Sequence, residues 1–275
     1  MTAFRFNPVS PHPLLRPYIA KMWVFESSGR LPAMDNKLIV PNANFKLAFT
    51  SRNGLVARVG DKTFTQKENQ LSFTGLVDTS VILDPKEDTP TDTIVIEFNP
   101  LAYRLFHVSY AEVKNQIVEM TDLIGNSVAE LESQLAEAGA LDLKVQLLQN
   151  FLIKRLERST TDSIYDYCIN RISDAKGLIT VSQLEKETGY SARWLHRKFS
   201  EHLGTGAKNL SEIIRFKQLY HAYSTGVGLQ ILRGNIYDYY YDQSHFLRAF
   251  KRFTGFNPTE LQNSLNELAT KHYTS

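Results

Sequence analysis

Two stretches of this chain carry one pattern at a fixed separation. Leu195, Arg197, Phe199 and Gly204 recur 51 positions on as Phe246, Arg248, Phe250 and Gly255. A repeated spacing of this kind points to two copies of one structural unit. Each copy has the marks of a short helix. Ser191 and Asp242 precede them as N-caps, whose side-chain oxygens accept from free N–H groups of the first turn. Gly204 and Gly255 follow as left-handed C-caps, and Pro258 stands where the second helix cannot continue. Phe246, Phe250 and Phe253 fall at i, i+4 and i+7, so they line one face. Gln243, Ser244, His245, Arg248, Lys251 and Arg252 point elsewhere. In the first copy Leu195 and Phe199 take the apolar side. Arg193 and Arg197, four apart, share the opposite face with Trp194 and His196 beside it. A helix fixed by aromatics on one side and offering amide, imidazole and guanidinium groups on the other suits a DNA major groove. An ordinary amphipathic surface helix would show the same stripe, and it is the duplication that separates the two readings.

The second copy, with Tyr240, Asp242, Ser244, His245, Phe246, Arg248, Phe250, Lys251, Gly255 and Pro258 in order, resembles the DNA-binding signature of AraC-type transcriptional regulators. The resemblance covers roughly residues 163 to 262. It implies an all-α domain of two helix-turn-helix units joined by a long helix, and double-stranded promoter DNA as partner. It further implies a small-molecule effector, with RNA polymerase and a second copy of the chain as other partners.

Charge agrees with a polyanionic partner. Residues 193–252 carry ten Lys/Arg (Arg193, Arg197, Lys198, Lys208, Arg215, Lys217, Arg233, Arg248, Lys251, Arg252) against four acids, a local +6 in a chain of net +2. A basic block in a near-neutral chain is an electrostatic footprint for nucleic acid. The single cysteine, Cys168, excludes a disulfide framework and a thiolate metal cluster. No apolar run reaches the ~20 residues of a membrane span, and the first residues lack the form of a signal peptide. The expectation is a cytoplasmic protein without membrane contact.

At 275 residues the chain has room for two cores. Residues 1–110 read as short strands: Ala20–Glu26, Lys37–Val40, Phe45–Thr50, Leu55–Val59, Gln70–Gly75 and Thr93–Phe98, with Arg52-Asn53-Gly54 as a hairpin turn. Strands at this spacing suggest a barrel or sandwich. The same segments resemble, more weakly, the cupin-like β-barrel sensor domain found ahead of the DNA-binding region in many AraC-type proteins. Pro41-Asn42-Ala43 stands where related chains often carry Pro-Asp-Gly. Trp23, Phe25, Phe45 and Phe73 are either pocket-lining residues or plain core. A cupin-type metal enzyme would need about three converging His or Glu ligands. The only histidines before residue 196 are His12 and His107, neither with a partner at suitable spacing. No catalytic residues, metal site or cofactor are therefore expected.

From residue 101 the period becomes helical. Val128, Leu131 and Leu135 form one stripe, and Leu141, Val145, Leu148, Leu152 and Leu156 a second. These helices either pack on the barrel or carry a dimer contact. The expected organisation is a sensor and dimerisation domain over 1–157 (barrel 1–110, helices 111–157), a linker at 158–163, a DNA-binding domain over 164–262 and a tail from 263. The fold class is α+β.

Within the DNA-binding part, Ile164, Tyr167, Cys168 and Ile172 give a first helix. Thr180 and Gln183 form a capping box for a helix from Val181 to Thr188. Asn209–Ser224 makes the connector, with Ile213, Phe216, Leu219, Tyr220 and Tyr223 as its packing residues. Arg215 ties the two units together or touches phosphate. Two departures from the family pattern stand out. Glu185 replaces a small Ala in the first unit. Gly234, Asn235 and Tyr239 interrupt the second, where Tyr239 takes the place of a turn Gly at a cost on the order of 1 kcal/mol if left-handed. In the expected mechanism Arg193, His196, Arg197, Gln243, Ser244, His245 and Arg248 read successive major grooves, while Lys198, Lys208, Lys251 and Arg252 contact phosphate. A reading of another class stays open: a small-molecule-binding or enzymatic barrel whose helical half is a protein-interaction module.

Overall fold

The computed structural model describes residues 4–28, 38–85, 90–222 and 239–262. The fold is α+β, with antiparallel sheets first and helices after. The strands are β1 (Phe4–Pro8), β2 (Ile19–Ser27), β3 (Leu38–Ile39), β4 (Phe45–Arg52), β5 (Leu55–Val59), β6 (Lys62–Thr65), β7 (Leu71–Thr74), β8 (Val81–Pro85), β9 (Thr91–Phe98) and β10 (Ile117–Glu119). They form a six-stranded sheet in the order β1-β2-β9-β4-β7-β10 and a four-stranded sheet in the order β3-β8-β5-β6. Asn53 takes the positive φ expected of it, at 46°. Yet Arg52-Asn53-Gly54 does not close a hairpin. β4 and β5 belong to different sheets, and the turn carries the chain from one to the other. Gly54 is fixed by crowding at that corner, where a Cβ would lie 1.5 Å from the Gln66 carbonyl oxygen.

Strand parity splits the apolar residues into two sets. Met22, Val24, Phe45, Leu47, Phe49, Phe73, Ile94, Ile96 and Phe98 face the helices and join the main core. Trp23, Phe25 and Leu55 turn the other way and pack with Phe6, Ile39, Leu83 and Val95 between the sheets. Of the four aromatics named for a pocket, Trp23 and Phe25 therefore line the space between the sheets. Phe45 and Phe73 do not: they lie in the core, their rings 4.8 Å from Tyr110 and 4.9 Å from Phe106.

The helices beside the six-stranded sheet are α1 (Tyr103–Phe106), α2 (Met120–Ile124), α3 (Asn126–Glu137) and α4 (Leu141–Glu157). Helix does not simply replace strand after residue 101, because β10 pairs with β7 further on. Val128, Leu131, Leu135, Leu148 and Leu152 are buried, as their periodicity requires. Leu141 at the head of α4 is 43 % exposed and leaves the stripe.

Further helices follow among the described residues: α5 (Ser163–Asp174), α6 (Val181–Thr188), α7 (Ala192–Leu203), α8 (Ala207–Ala222), α9 (Gln243–Thr254), and then the short α10 (Pro258–Gln262). In α5 Cys168 and Ile172 are buried, but the tyrosine buried with them is Tyr165. Tyr167 sits at the surface and donates to Glu187 (3.0 Å). One apolar cluster runs without a break from Leu15 at the start of the sheets to Leu261 in α10. The two halves are thus cemented by a shared core.

Candidate nucleic-acid interface

Helices α7 and α9 are built alike. Ser191 Oγ accepts from the Trp194 N–H (3.4 Å) and Asp242 Oδ1 from the His245 N–H (2.6 Å). Gly204 and Gly255 end them in left-handed conformations, φ 77° and 81°. Leu195, Phe199 and Leu203 are buried in one; Phe246, Phe250 and Phe253 in the other. The connector α8 lies between them, Phe216 packing its ring 5.8 Å from Phe250 and 4.9 Å from Phe253. Its Ile213, Leu219 and Tyr220 are buried, while Tyr223 and Ser224 lie outside the described residues.

The capping box at the head of α6 is present, with Thr180 and Gln183 bonded reciprocally. Glu185 explains itself in three dimensions. Its carboxylate accepts from the Ala192 N–H (2.6 Å), so it satisfies a second free donor at the start of α7. Tyr239 is helical, not left-handed, and does not carry the strain expected there. The interrupted support helix, Leu229–Tyr237 with Gly234 and Asn235, lies outside the described residues, as does Arg233. Arg215 stands as a tie between the units: its guanidinium lies 5.9 Å from the Tyr240 ring centre, and its stem passes Gly177 in the turn between α5 and α6.

The polar faces sort into open and engaged groups. Arg193, His196, Arg197, Lys208, Gln243, Ser244, Arg248 and Lys251 are exposed. Arg197 meets Glu201 at 4.0 Å on an exposed helix surface, a contact worth little. His196 is exposed but rests its ring over Gly206, where a Cβ would lie 2.7 Å from Nδ1. His245 is half-buried against Tyr240. Trp194 is stacked on Tyr190 (4.0 Å between ring centres), and the Lys198 ammonium lies over its face. Lys198 is also paired with Asp162 (3.0 Å), which raises its pKa. Arg252 is paired with Glu212 (2.8 Å) and reaches Asp78 of the N-terminal half (3.4 Å). Two of the expected phosphate contacts thus have intramolecular partners.

A second site lies between the sheets. Phe6, Trp23, Phe25, Leu55, Phe64 and Val95 are among the walls of a cavity of about 110 Å³, enough for several water-sized groups. Its polar lining is sparse: Lys46, Gln66, Ser72, Thr74 and Thr93. Lys21 on β2 and Lys46 on β4 both lie opposite Glu97 on β9. Glu97 is buried and accepts from Asn42 (2.7 Å) and from Asn44. The Pro41-Asn42-Ala43 turn therefore works from beside this lysine cluster. Ala43 holds a left-handed φ of 67°, a conformation that glycine takes without strain. The Lys46 amine is pushed below its usual value, by burial first, with Glu97 opposing and Lys217 of α8 adding to the effect. Among the described residues no group of three or more His, Cys, Asp or Glu side chains could hold a metal ion, and no helix is long and apolar enough to cross a membrane. Cys168 is buried, its thiol pushed up to about 11 by desolvation.

No family model and no curated protein matches the chain. Solved structures offer remote similarity. An apo point variant of ToxT from Vibrio cholerae is 14% identical over 89% of this chain and 98% of that one, with a TM-score of 0.49. Wild-type ToxT bound to an unsaturated fatty acid is 14% identical over 96% of each chain, with a TM-score of 0.46. The cupin domain of Schizosaccharomyces pombe Cnp3 is 11% identical over 35% of this chain and 61% of its own, with a TM-score of 0.28.

Proposed function

We propose that this protein is a sequence-specific DNA-binding transcriptional regulator that responds to a small molecule held between its two sheets. The observation that carries the reading is the duplicated helix: α7 and α9, each capped by Ser or Asp and closed by Gly, each with its apolar face buried and its basic face exposed. In this reading Arg193 and Arg197 from one, and Gln243, Ser244 and Arg248 from the other, meet base edges, with Arg suited to guanine and Gln to adenine. Lys208 and Lys251 supply phosphate contacts. His196 and His245 present only part of their rings and act as shape-fitting groups at the groove wall.

The effector best matched by the cavity is an apolar molecule with an anionic head. Its walls are aromatic and aliphatic, and the Lys46 ammonium is the one basic group among its described lining residues, with Lys21 on β2 across Glu97. Pairing with a desolvated ammonium on the cavity wall favours an acid over a neutral or basic ligand.

The test is a fluorescence titration of the full chain against duplex DNA from upstream of its own reading frame, at two salt concentrations. Arg197→Ala and Arg248→Ala should each weaken binding to the cognate site by about 1–3 kcal/mol. Unaltered affinity in both variants refutes the groove assignment.

A further inference from the structure

One side chain of the N-terminal half is embedded in the helical half. Asp78 lies on the loop between β7 and β8, residues 75–80. Its N–H donates to Asn115 Oδ1 (2.8 Å), and Asn115 Nδ2 donates to Asp78 Oδ1 (2.6 Å). Lys114 Nζ lies 2.8 Å from Oδ2. The same Oδ2 accepts from Asn209 of α8 (2.9 Å) and from Arg252 of α9 (3.4 Å). Asn209 Oδ1 accepts a second bond from Arg252 (2.5 Å), and Glu212 completes the enclosure of that guanidinium. Burial works against the charge on Asp78, but the bonds from Lys114, Asn115 and Asn209 outweigh it and hold the carboxyl below its usual value.

The loop is also part of the cavity's frame. Ser72 and Thr74 before it, and Val81 and Leu83 after it, line the cavity, as does Ile117, two residues beyond Asn115. Gly75 is pressed so close to Val113 that a Cβ would lie 2.1 Å from the Val113 carbonyl oxygen, so the loop packs directly on its neighbour. The far side of the loop lies beside the residue that closes α9, since a Cβ added to Gly255 would sit 3.7 Å from Ser80 Oγ.

We infer that Asp78 is an autoinhibitory latch: it holds Arg252 and the end of α9 against the barrel, and occupation of the cavity sets whether it lets go. This rests on the reading that α9 approaches DNA. A phosphate must compete with one carboxylate from each half of the chain for the same guanidinium, so duplex affinity is held down while the latch is closed. Displacement of β7, β8 or β10 by a ligand shifts the loop, and with it the geometry of the bonds to α8 and α9.

The experiment uses the full chain and fluorescence anisotropy with labelled duplexes of about 40 base pairs, long enough for two adjacent half-sites. One is drawn from DNA upstream of the protein's own reading frame, and one has mixed sequence. Asp78→Asn keeps the shape of the side chain and removes its charge; Glu212→Gln opens the enclosure from the other side and serves if the first variant fails to fold. Each should tighten binding to both duplexes about fivefold or more. Glu130→Gln, an exposed acid on α3, should stay within about twofold, which separates the latch from a general gain of positive charge. Adding Arg252→Gln to Asp78→Asn should remove the gain. If the wild-type chain binds DNA and the two latch variants bind no more tightly, the latch is refuted and the regulator reading stands. If no chain in the series binds either duplex, the regulator reading falls and the latch with it.

Discussion

Single residues here do more than their type announces. Ala43 occupies a left-handed turn with φ 67°, between two asparagines that both donate to the buried Glu97. An L-side chain in that region costs roughly 1–2 kcal/mol. Ala43→Gly should therefore raise the unfolding free energy measured in urea by about 1 kcal/mol, after the entropy Gly loses on folding is subtracted. A lower value would mean that the alanine methyl makes a packing contact worth more than the strain. Asp162 is a second case. It caps α5 through the Tyr165 N–H (3.1 Å) and pairs with Lys198 and His202. Burial opposes its charge, but these bonds prevail and lower its pKa. A depressed carboxyl stabilises the fold above its unfolded value near pH 4 and loses that contribution as pH falls through the folded value. The stability gap between wild type and Asp162→Asn, measured by urea unfolding, should therefore be present at neutral pH and close in acid. A gap that persists unchanged at the lowest pH would show that the cap's geometry, not its charge, matters.

At the level of elements, parity and capping decide which residues meet. On β4 the alternation sends Phe45, Leu47 and Phe49 to the helices and Lys46 and Ala48 to the cavity. Ala48→Phe should fill that space while leaving the main core intact. Binding of a fluorescent apolar acid such as cis-parinaric acid should be lost in this variant with the thermal midpoint largely kept. Equal binding by both proteins would put the ligand elsewhere. Sequence periodicity identified β2, β3, β4, β5, β7 and β9 but passed over β1, β6, β8 and β10. Three of the four, β1, β6 and β10, are edge strands, and their pairing with a neighbour, more than their own composition, makes them strands. The helices were more legible, because their caps are local: Thr180 with Gln183, Ser191 and Asp242 each bond within three residues. Glu185 was not, since its bond to Ala192 spans the turn between two helices.

Across the molecule, the two halves share more than a linker. Arg104 on α1 and Asp166 on α5 form a largely buried pair, the guanidinium lying over the Tyr18 and Tyr103 rings at 5.3 and 5.4 Å. Removing one member of such a pair strands the other and costs about 3–5 kcal/mol. Arg104→Ala should show a loss near the lower end of that range in equilibrium unfolding, because Asp166 keeps some exposure. The double variant Arg104→Met with Asp166→Leu should lose less than Arg104→Ala alone. A larger loss in the double variant would mean that the pair contributes net stability. Gly204 adds a tight backbone contact at the same junction, where a Cβ would lie 2.2 Å from the Tyr110 carbonyl oxygen. With the Asp78 cluster, these contacts join the sheets to α8 and α9 through bonded neighbours.

By itself the chain's order of residues determined the paired basic helices, their caps, their buried aromatic faces and the β-then-α arrangement. All of these arise from interactions within a few residues or from periodicity that one element expresses alone. Only the tertiary structure decided which aromatics line the cavity, that Asn53-Gly54 turns between sheets, and that Lys198 and Arg252 are held by Asp162 and Asp78, acids far off in the chain. Such outcomes depend on strand pairing and on charges that meet only when helices pack on one another and on the sheets, and no local pattern encodes a partner that distant.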